Sequence, residues 1–347
     1  MSKQKNNNSI AELGEFGLID FLVKDFKTVQ RSTIKAVGDD AAVIDGGSDY
    51  VLVTTDMLVE GIHFDLIYTP MKHLGYKSVV VNLSDIYAMN GNPQQITVSL
   101  AVSAKFGIKA LEELYEGIRL ACEAYNVDLV GGDTTTSLTG LCLSITALGR
   151  VSKDKICNRS GAKLNDLICV SGNLGASYLG LQLLEREKQI FLSDNTIQPE
   201  ISRHPYCIQR FLKPEARRDI VESLANASVL PTAMIDISDG LSSDILHICK
   251  QSQVSCVIYE DKLPVDAEAF ALAQEFGIDV SIAALNGGED YELLFTVDQK
   301  HYEQVLGMAG VSVIGYISEG KQGGMLKARN GVEVPLEAQG WNHMRDS

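Results

Sequence analysis

Residues 36–64, AVGDDAAVIDGGSDYVLVTTDMLVEGIHF, decide how this sequence can fold. Two segments rich in Val, Leu and Ile flank the turn-forming residues DGGSD at 45–49, which predicts a hairpin of two β-strands. Each strand carries aspartate at one end, so the hairpin should place Asp39, Asp40 and Asp56 close together. Carboxylates at such distances disfavour each other's ionised form unless a cation lies among them.

Two interpretations of this hairpin are open from its residues alone. The first is a magnesium site, because hard divalent cations take oxygen ligands from carboxylates, hydroxyls and backbone carbonyls, and Thr54 and Thr55 precede Asp56. The second is that Asp and Gly only terminate the two strands, as they do in many turns.

The composition limits the classes of partner. A chain of 347 residues with 45% hydrophobic residues can form two domains, each with its own core. Its 45 acidic residues exceed its 30 basic residues and give a formal charge of −15, which argues against general binding to nucleic acid or to an anionic membrane. Phosphorylated ligands are still compatible with this charge if divalent cations and a few well-placed arginines offset the repulsion.

The cysteines and the N-terminus predict a cytoplasmic protein. Seven cysteines are dispersed without a C-x-x-C pair, which is typical of buried thiols in a reducing compartment and not of a disulfide framework or a zinc site. The first ten residues, MSKQKNNNSI, are too polar for a signal peptide. No uncharged apolar segment reaches the roughly 18 residues that a membrane span needs.

Apolar residues at helical spacing predict a helix over residues 70–89, which carries Asn82 and Asp85 on one face. Burying these two residues without partners would be costly, so we expect Asp85 to reach a cation or a ligand. The alternative is that this face is exposed to solvent, and it is disfavoured because apolar residues flank the pair on both sides.

Acidic residues also follow two other predicted strands. The sequence GGDTT at 131–135 follows a short strand, and its glycines permit close backbone approach while Asp133 offers carboxylate oxygens. After the strand predicted over residues 233–237, Ser238 or Asp239 could cap the next helix. Asp236 precedes that cap, which favours a cation or phosphate site.

Arg159 lies in the polar segment 151–163, which we take as a domain boundary. The simplest interpretation is that Arg159 is exposed at the surface, and the more specific one is that it contacts a phosphate. Tyr115 lies off the apolar stripe of a second predicted helix and is free to pack against something outside that helix.

Seven segments in this order closely resemble the thiamine-monophosphate kinase family. They are GDDAAV (38–43), TTDMLVEGIHF (54–64), LGYKSVVVNLSDIYAMNGNP (74–93), VGGDTT (130–135), NRSGAKLND (158–166), IDISDGLSSD (235–244) and NGGEDYEL (286–293). The resemblance covers nearly the whole chain after about Glu12. One departure is Asn90-Gly91, where the family more often has Gly-Ala; Asn tolerates the left-handed conformation, so the turn should survive.

The resemblance implies an α/β (α+β) fold like that of aminoimidazole ribonucleotide synthetase, whose superfamily also includes selenophosphate synthetase and the hydrogenase maturation protein HypE. Residues 1–152 would form a domain with a mixed sheet that pairs with its copy in a homodimer to give a barrel-like core. Residues 153–347 would form a second α/β domain. ATP would bind in the cleft beside the shared core.

Site residues follow from the resemblance position by position. Magnesium ions would be held by Asp40, Thr54, Asp56, Asp85, Asp133, Asp236 and Asp239, to which the hairpin itself adds Thr55. ATP would contact Tyr115, Gly132, Asp133, Arg159 and Ser238. Thiamine monophosphate would contact His63, Glu289 and Trp341, the last of which rests on the short C-terminal match GWNH and is expected to stack on an aromatic ring of the substrate.

The implied reaction is transfer of the γ-phosphoryl group of ATP directly to thiamine monophosphate, giving thiamine diphosphate. The acceptor is a phosphate monoester whose second pKa is about 6, so near neutral pH it is largely a dianion and needs no general base. We therefore expect neither a catalytic base nor a covalent nucleophile. What the reaction needs is neutralisation of charge by Mg²⁺ and an arginine.

Two competing hypotheses are left. One is another member of the superfamily that activates an amide, carbamoyl or selenide acceptor, although selenide chemistry is disfavoured because no cysteine precedes Gly38. The other is a non-catalytic protein that binds divalent cations or nucleotides. It would release no ADP with any acceptor.

Overall fold

The computed structural model describes residues 10–320 and 323–338, with the backbone alone in residues 10–14. These residues form two mixed β-sheets with helices packed against them, which confirms the predicted fold class. Trp341 lies outside the described residues.

The first sheet contains the predicted hairpin. Among the described residues its strands are β1 Thr33–Lys35, β2 Ala42–Asp45, β3 Asp49–Val59, β4 Asn92–Val102, β5 Asp128–Thr136 and β6 Cys142–Ser152, in the order β1-β2-β3-β6-β4-β5. β2 and β3 pair in antiparallel fashion, with Ala42 opposite Val53. The β4–β5 pair is parallel, whereas the other neighbours are antiparallel.

In the described part of the chain, the helices that precede or separate the strands of this sheet are α1 Ile10–Val23, α2 Met71–Ala88 and α3 Ile108–Tyr125. α2 and α3 approach each other through glycine. A Cβ atom on Gly117 would lie 1.9 Å from the Lys72 carbonyl oxygen, and one on Gly75 would lie 2.0 Å from that of Leu114. α2 is consequently buried along most of its length, and it contacts both β3 and a strand of the second sheet.

The second sheet comprises, among the described residues, β7 Leu167–Ser171, β8 Ala233–Asp236, β9 Ser255–Tyr259, β10 Leu293–Val297, β11 Val311–Ser318, β12 Gly324–Lys327 and β13 Glu333–Pro335, in the order β13-β12-β9-β11-β7-β10-β8. Its helices are α4 Ala176–Ser193, α5 Pro205–Leu212, α6 Arg218–Asn226, α7 Leu241–Ser252, α8 Ala267–Phe276, α9 Val280–Asn286 and α10 Tyr302–Leu306. β9 and β12 pair in parallel, and the remaining pairs are antiparallel.

The segment 131–135 continues strand β5, whereas the sequence predicted a strand that ended at Val130. The physical reason is the spacing between strands: a Cβ atom on Gly132 would lie 1.9 Å from the Val98 carbonyl oxygen on β4. Glycine here permits a close strand pair, which local sequence cannot distinguish from a turn.

The two sheets occupy residues 33–152 and 167–335. We propose that the domain boundary lies near residues 152 and 153, as the sequence predicts. In the described part of the chain, no helix combines the length and the apolar character needed to cross a membrane.

Candidate active site

Three aspartates from distant parts of the sequence meet at the junction of the two sheets. Asp40 precedes β2, Asp85 lies in the last turn of α2, and Asp236 is the last residue of β8. One carboxylate oxygen from each lies within 4.8 Å of the others. We call these residues the acidic triad.

Hydroxyl groups orient two members of the triad. The Thr54 hydroxyl, on β3, donates to Oδ2 of Asp85 at 2.5 Å. The Ser84 hydroxyl donates to Oδ2 of Asp236 at 2.6 Å, so α2 is joined to the second sheet next to the site. The predicted polar face of α2 is also present, because the Asn82 side chain accepts a hydrogen bond from the backbone N–H of Asp56 at 3.0 Å.

Arg159 is paired with the third member of the triad. Its guanidinium donates to Oδ1 of Asp40 through Nη2 at 2.7 Å and through Nε at 3.2 Å. The neighbouring Asp39 accepts from the backbone N–H of Arg159 at 3.2 Å and forms an ion pair with Lys35. Asp39 therefore positions the arginine backbone, while Asp40 belongs to the triad.

The electrostatics of this cluster favour a bound cation. Burial raises the pKa of Asp40 to about 7, and repulsion from Asp236 and Asp39 adds to the shift while Arg159 opposes it. Burial, followed by repulsion from Asp236, raises the pKa of Asp56 to about 6. Oδ2 of Asp40 is buried and has no hydrogen-bond partner among the described residues. Hard oxygen donors with unrelieved negative charge fit a divalent cation.

The triad lines a cavity of about 1070 Å³ between the two sheets. The cavity brings together most of the predicted site residues, which are Asp40, Thr54, Thr55, Asp56, His63, Asp85, Arg159, Asp236, Ser238, Asp239 and Glu289. In the same wall, the Nδ1 atom of His63 accepts from the backbone N–H of Val59 at 3.0 Å. Burial raises the pKa of Asp239 to about 7, with repulsion from Glu15 and Asp236 adding to the shift.

Three of the predicted site residues lie outside this cavity. Tyr115, Gly132 and Asp133 line a separate groove of about 350 Å³ along β5. Across the sheet, Asp56 on β3 is aligned with β6, β4 and then Gly132 on β5. Three strand spacings of about 4.8 Å separate them, or roughly 14 Å, so Asp133 and Asp56 of one chain do not share a cation.

The sequence reasoning missed two buried charged residues near this site. Lys77 on α2 forms an ion pair with Glu289. The argument that singled out Asp85, a charge inside an apolar helix, applies equally to Lys77 and would have found it. Asp244 on α7 is also buried, and its Oδ2 atom has no hydrogen-bond partner among the described residues. Burial raises its pKa well above the usual range, and repulsion from Asp239 and Asp236 adds to the shift.

Comparison with known proteins agrees with this arrangement. Residues 38–151 match the family model of the AIR synthase related protein, N-terminal domain, and residues 169–327 match that of the C-terminal domain. The thiamine-monophosphate kinase of Aquifex aeolicus (strain VF5) is 36% identical over 338 residues, which cover 96% of this chain and 99% of that protein. The thiamine-monophosphate kinase of Bacillus subtilis (strain 168) is 33% identical over 341 residues, covering 96% of this chain and 100% of that protein.

A solved structure described as "AaThiL complexed with AMPPCP and TMP" superposes with a TM-score of 0.81 at 34% sequence identity. The match covers 96% of this chain and 97% of that one. Similarity in sequence and in structure therefore extends over both sheets and over the cavity between them. The chain belongs to the thiamine-monophosphate kinase family of the AIR synthase related proteins.

Proposed function

We propose that this chain phosphorylates thiamine monophosphate, with transfer of the γ-phosphoryl group of ATP directly to the phosphate of the substrate. The product is thiamine diphosphate. The observation that carries the proposal is the acidic triad on the wall of one large cavity, which two phosphorylated ligands can share. The solved relative that binds AMPPCP and TMP together supports it.

Magnesium is the cofactor that the donor set fits. Asp40, Asp85 and Asp236 would hold it, with further oxygens from Thr54, Thr55, Asp56 and Asp239 on the same cavity. When bound, Mg²⁺ supplies neutralisation of the charge that spreads over the transferred phosphoryl group.

The residues of the chain position the two substrates. Arg159, held by Asp40 and by the Asp39 carboxylate, would contact ATP together with Ser238. His63 and Glu289 would contact thiamine monophosphate on the other part of the cavity wall. Because the acceptor phosphate is largely a dianion near neutral pH, alignment and charge neutralisation suffice and no side chain has to remove a proton. The stacking role of Trp341 and a cytoplasmic location stay predictions.

A homodimer completes the proposed site. Strand β5 is exposed over its whole length and carries Leu129 and Val130, exposed by 46% and 58%, on an edge of the sheet. An exposed edge of this length is a template for pairing with another chain. A second copy paired here would form the predicted barrel-like core and bring its own Tyr115, Gly132 and Asp133 to the ATP side of the cavity.

The experiment that tests the proposed function is a direct assay. Purified protein is mixed with ATP, Mg²⁺ and thiamine monophosphate, and thiamine diphosphate and ADP are separated by chromatography. We expect one ADP for each thiamine diphosphate, and no product with free thiamine in place of the monophosphate. ADP without thiamine diphosphate would point to another acceptor, and binding of ATP without any ADP would point to a non-catalytic protein.

A further inference from the structure

Lys77 is a buried lysine whose ammonium group has polar and aromatic partners. It lies on α2, eight residues before Asp85, and is 2% exposed. Its ammonium donates to the Glu289 carboxylate at 2.5 Å and to the Phe211 carbonyl oxygen at 3.1 Å. It also lies 4.1 Å from the centroid of the Phe211 ring. A buried ammonium is tolerated because every side of it meets an acceptor or an aromatic face.

The partner of Lys77 lies on a loop with unfavourable backbone geometry. Glu289 and Tyr291 have φ angles of 56° and 51°, in the left-handed region that side chains rarely adopt. The loop is tied to the segment after β8, since the N–H of Glu289 donates to the Ser238 carbonyl at 2.7 Å and that of Tyr291 to the Ile237 carbonyl at 2.9 Å. Strained residues persist only where the surroundings hold them, and Lys77 is part of those surroundings.

The Glu289 side chain is 29% exposed and lines the cavity, whereas that of Lys77 is 3% exposed and lies behind it. We infer that Lys77 is a positioning residue that fixes the Glu289 carboxylate toward the substrate. This inference rests on the proposed function, in which the Glu289 carboxylate accepts a hydrogen bond from thiamine monophosphate or faces its positive charge. Nothing in it requires Lys77 to touch either substrate.

The test compares Lys77→Met with Lys213→Met. Lys213 is the control, because it also lies over an aromatic ring, Tyr76 at 4.4 Å, but its carboxylate partner is Glu215 and its side chain is partly exposed. We expect Lys77→Met to raise the KM for thiamine monophosphate by about tenfold to a hundredfold, the size of one hydrogen bond to a charged group. The KM for ATP should change by less than about threefold, and Lys213→Met should change neither.

A double-mutant cycle separates positioning from general support of the fold. If Lys77 acts through Glu289, then Lys77→Met should add little to the effect of Glu289→Gln. Equal increases in both KM values, or additive effects of the two substitutions, would overturn the inference. Should Lys77→Met fail to fold, Lys77→Gln serves in its place, because its amide can still donate to the Phe211 carbonyl.

Hydrogen exchange provides a readout that needs no turnover. The backbone amides of residues 287–291 should exchange faster in Lys77→Met than in the unaltered protein, with no change in Lys213→Met. Unchanged exchange would overturn the inference even if thiamine diphosphate is formed. Faster exchange in a protein that makes no thiamine diphosphate would support the positioning of Glu289 and would count against the proposed function alone.

Discussion

Asp85 lies beside three other carboxylates inside the fold. Burial raises its pKa well above the usual range, and repulsion from Asp56, Asp236 and Asp40 adds to the shift. The hydrogen bond from the Thr54 hydroxyl opposes only part of it. A divalent cation among these groups would remove the repulsion. The same cluster of carboxylates that is unfavourable without a ligand therefore favours binding of a cation.

We expect Asp85→Asn to lower kcat by about a hundredfold to a thousandfold at saturating Mg²⁺, since one stabilising charge is lost. The fold should remain, because the substitution removes a buried charge and keeps the shape of the side chain. Steady-state kinetics over a series of Mg²⁺ concentrations and thermal denaturation measure the two effects. Asp154→Asn, at an exposed position, is the control; kinetics of Asp85→Asn that equal those of the control would remove Asp85 from the site.

The raised pKa of Asp290 predicts how the free energy of unfolding depends on pH. Burial raises its pKa from 3.8 to about 7, and Arg210 offsets only part of the shift. The folded protein therefore holds a proton that the unfolded chain releases, so this group lowers stability progressively as pH rises from about 4 to 7 and by a constant amount above that range.

Asp290→Asn should remove this dependence. Relative to the unaltered protein, its free energy of unfolding should improve by on the order of 3 kcal/mol between pH 4.5 and pH 8, as a shift of this size implies. Urea denaturation at several pH values measures the difference. A difference between the two proteins that stays constant over this range would show that Asp290 ionises normally in the fold.

At the scale of elements, the close contact between α2 and α3 fixes where the polar face of α2 lies. Gly75 and Gly117 allow each helix backbone to touch the other, and α2 is then seated against β3 with Asn82 and Asp85 facing it. A wider separation of the helices would move α2 relative to β3. The geometry of the triad thus depends on two residues that have no side chain.

Gly117→Ala should destabilise the protein by about 1–3 kcal/mol or more, because the new Cβ atom would meet the Lys72 carbonyl oxygen at 1.9 Å. The direction of the change in stability tests the close packing, since the same substitution in a free helix stabilises it by about 1 kcal/mol. Glu113→Ala on the exposed face of α3 is the control and should stay within about 0.5 kcal/mol. Thermal and urea denaturation provide the comparison; a Gly117→Ala variant as stable as its control would contradict the packing.

Sequence reasoning identified the elements whose signals are local. Helix α2 and the hairpin were predictable because apolar periodicity and turn residues lie within the elements themselves. Strand β5 was misjudged at residues 131–135, since the reason for Gly132 is a neighbouring strand that the local sequence does not show. Helices α5 and α9 were not predicted.

In the candidate site, too, features with a local signal were predictable and features that depend on distant contacts were not. Acids at strand ends and a charge in an apolar helix singled out Asp40, Asp85 and Asp236 one at a time, and the resemblance to the kinase family implied that they converge. Local patterns could not reveal that Asp39 turns toward the Arg159 backbone, because that depends on a contact over 120 positions. In the proposed homodimer a second copy brings Asp133 to the site, and no single sequence indicates which copy supplies a residue.

At the scale of the whole molecule, the proposed homodimer makes a prediction that a monomeric enzyme cannot meet. Asp85→Asn and Asp133→Asn should each abolish most of the activity when present in every chain. In a mixed dimer, one of the two sites would combine an intact Asp85 with an intact Asp133 from the other copy. Mixing the two variants under conditions that allow subunit exchange should restore about a quarter of the original activity.

The assay for this complementation is formation of thiamine diphosphate, with molecular mass in solution measured in parallel. Mixing each variant with itself is the control. A mass of one chain, or an inactive mixture that contains mixed dimers, would show that Asp133 acts within its own chain or outside the site.

The separation of the triad along the chain bears on when the cation site can form. Asp40 and Asp236 are 236 − 40 = 196 positions apart, so a growing polypeptide on the ribosome has no complete set of ligands until β8 has been synthesised. If Mg²⁺ is the bound cation, as we propose, it cannot template the early stages of folding. Its stabilising effect would then fall on the finished protein, where it would slow unfolding and leave the rate of collapse unchanged.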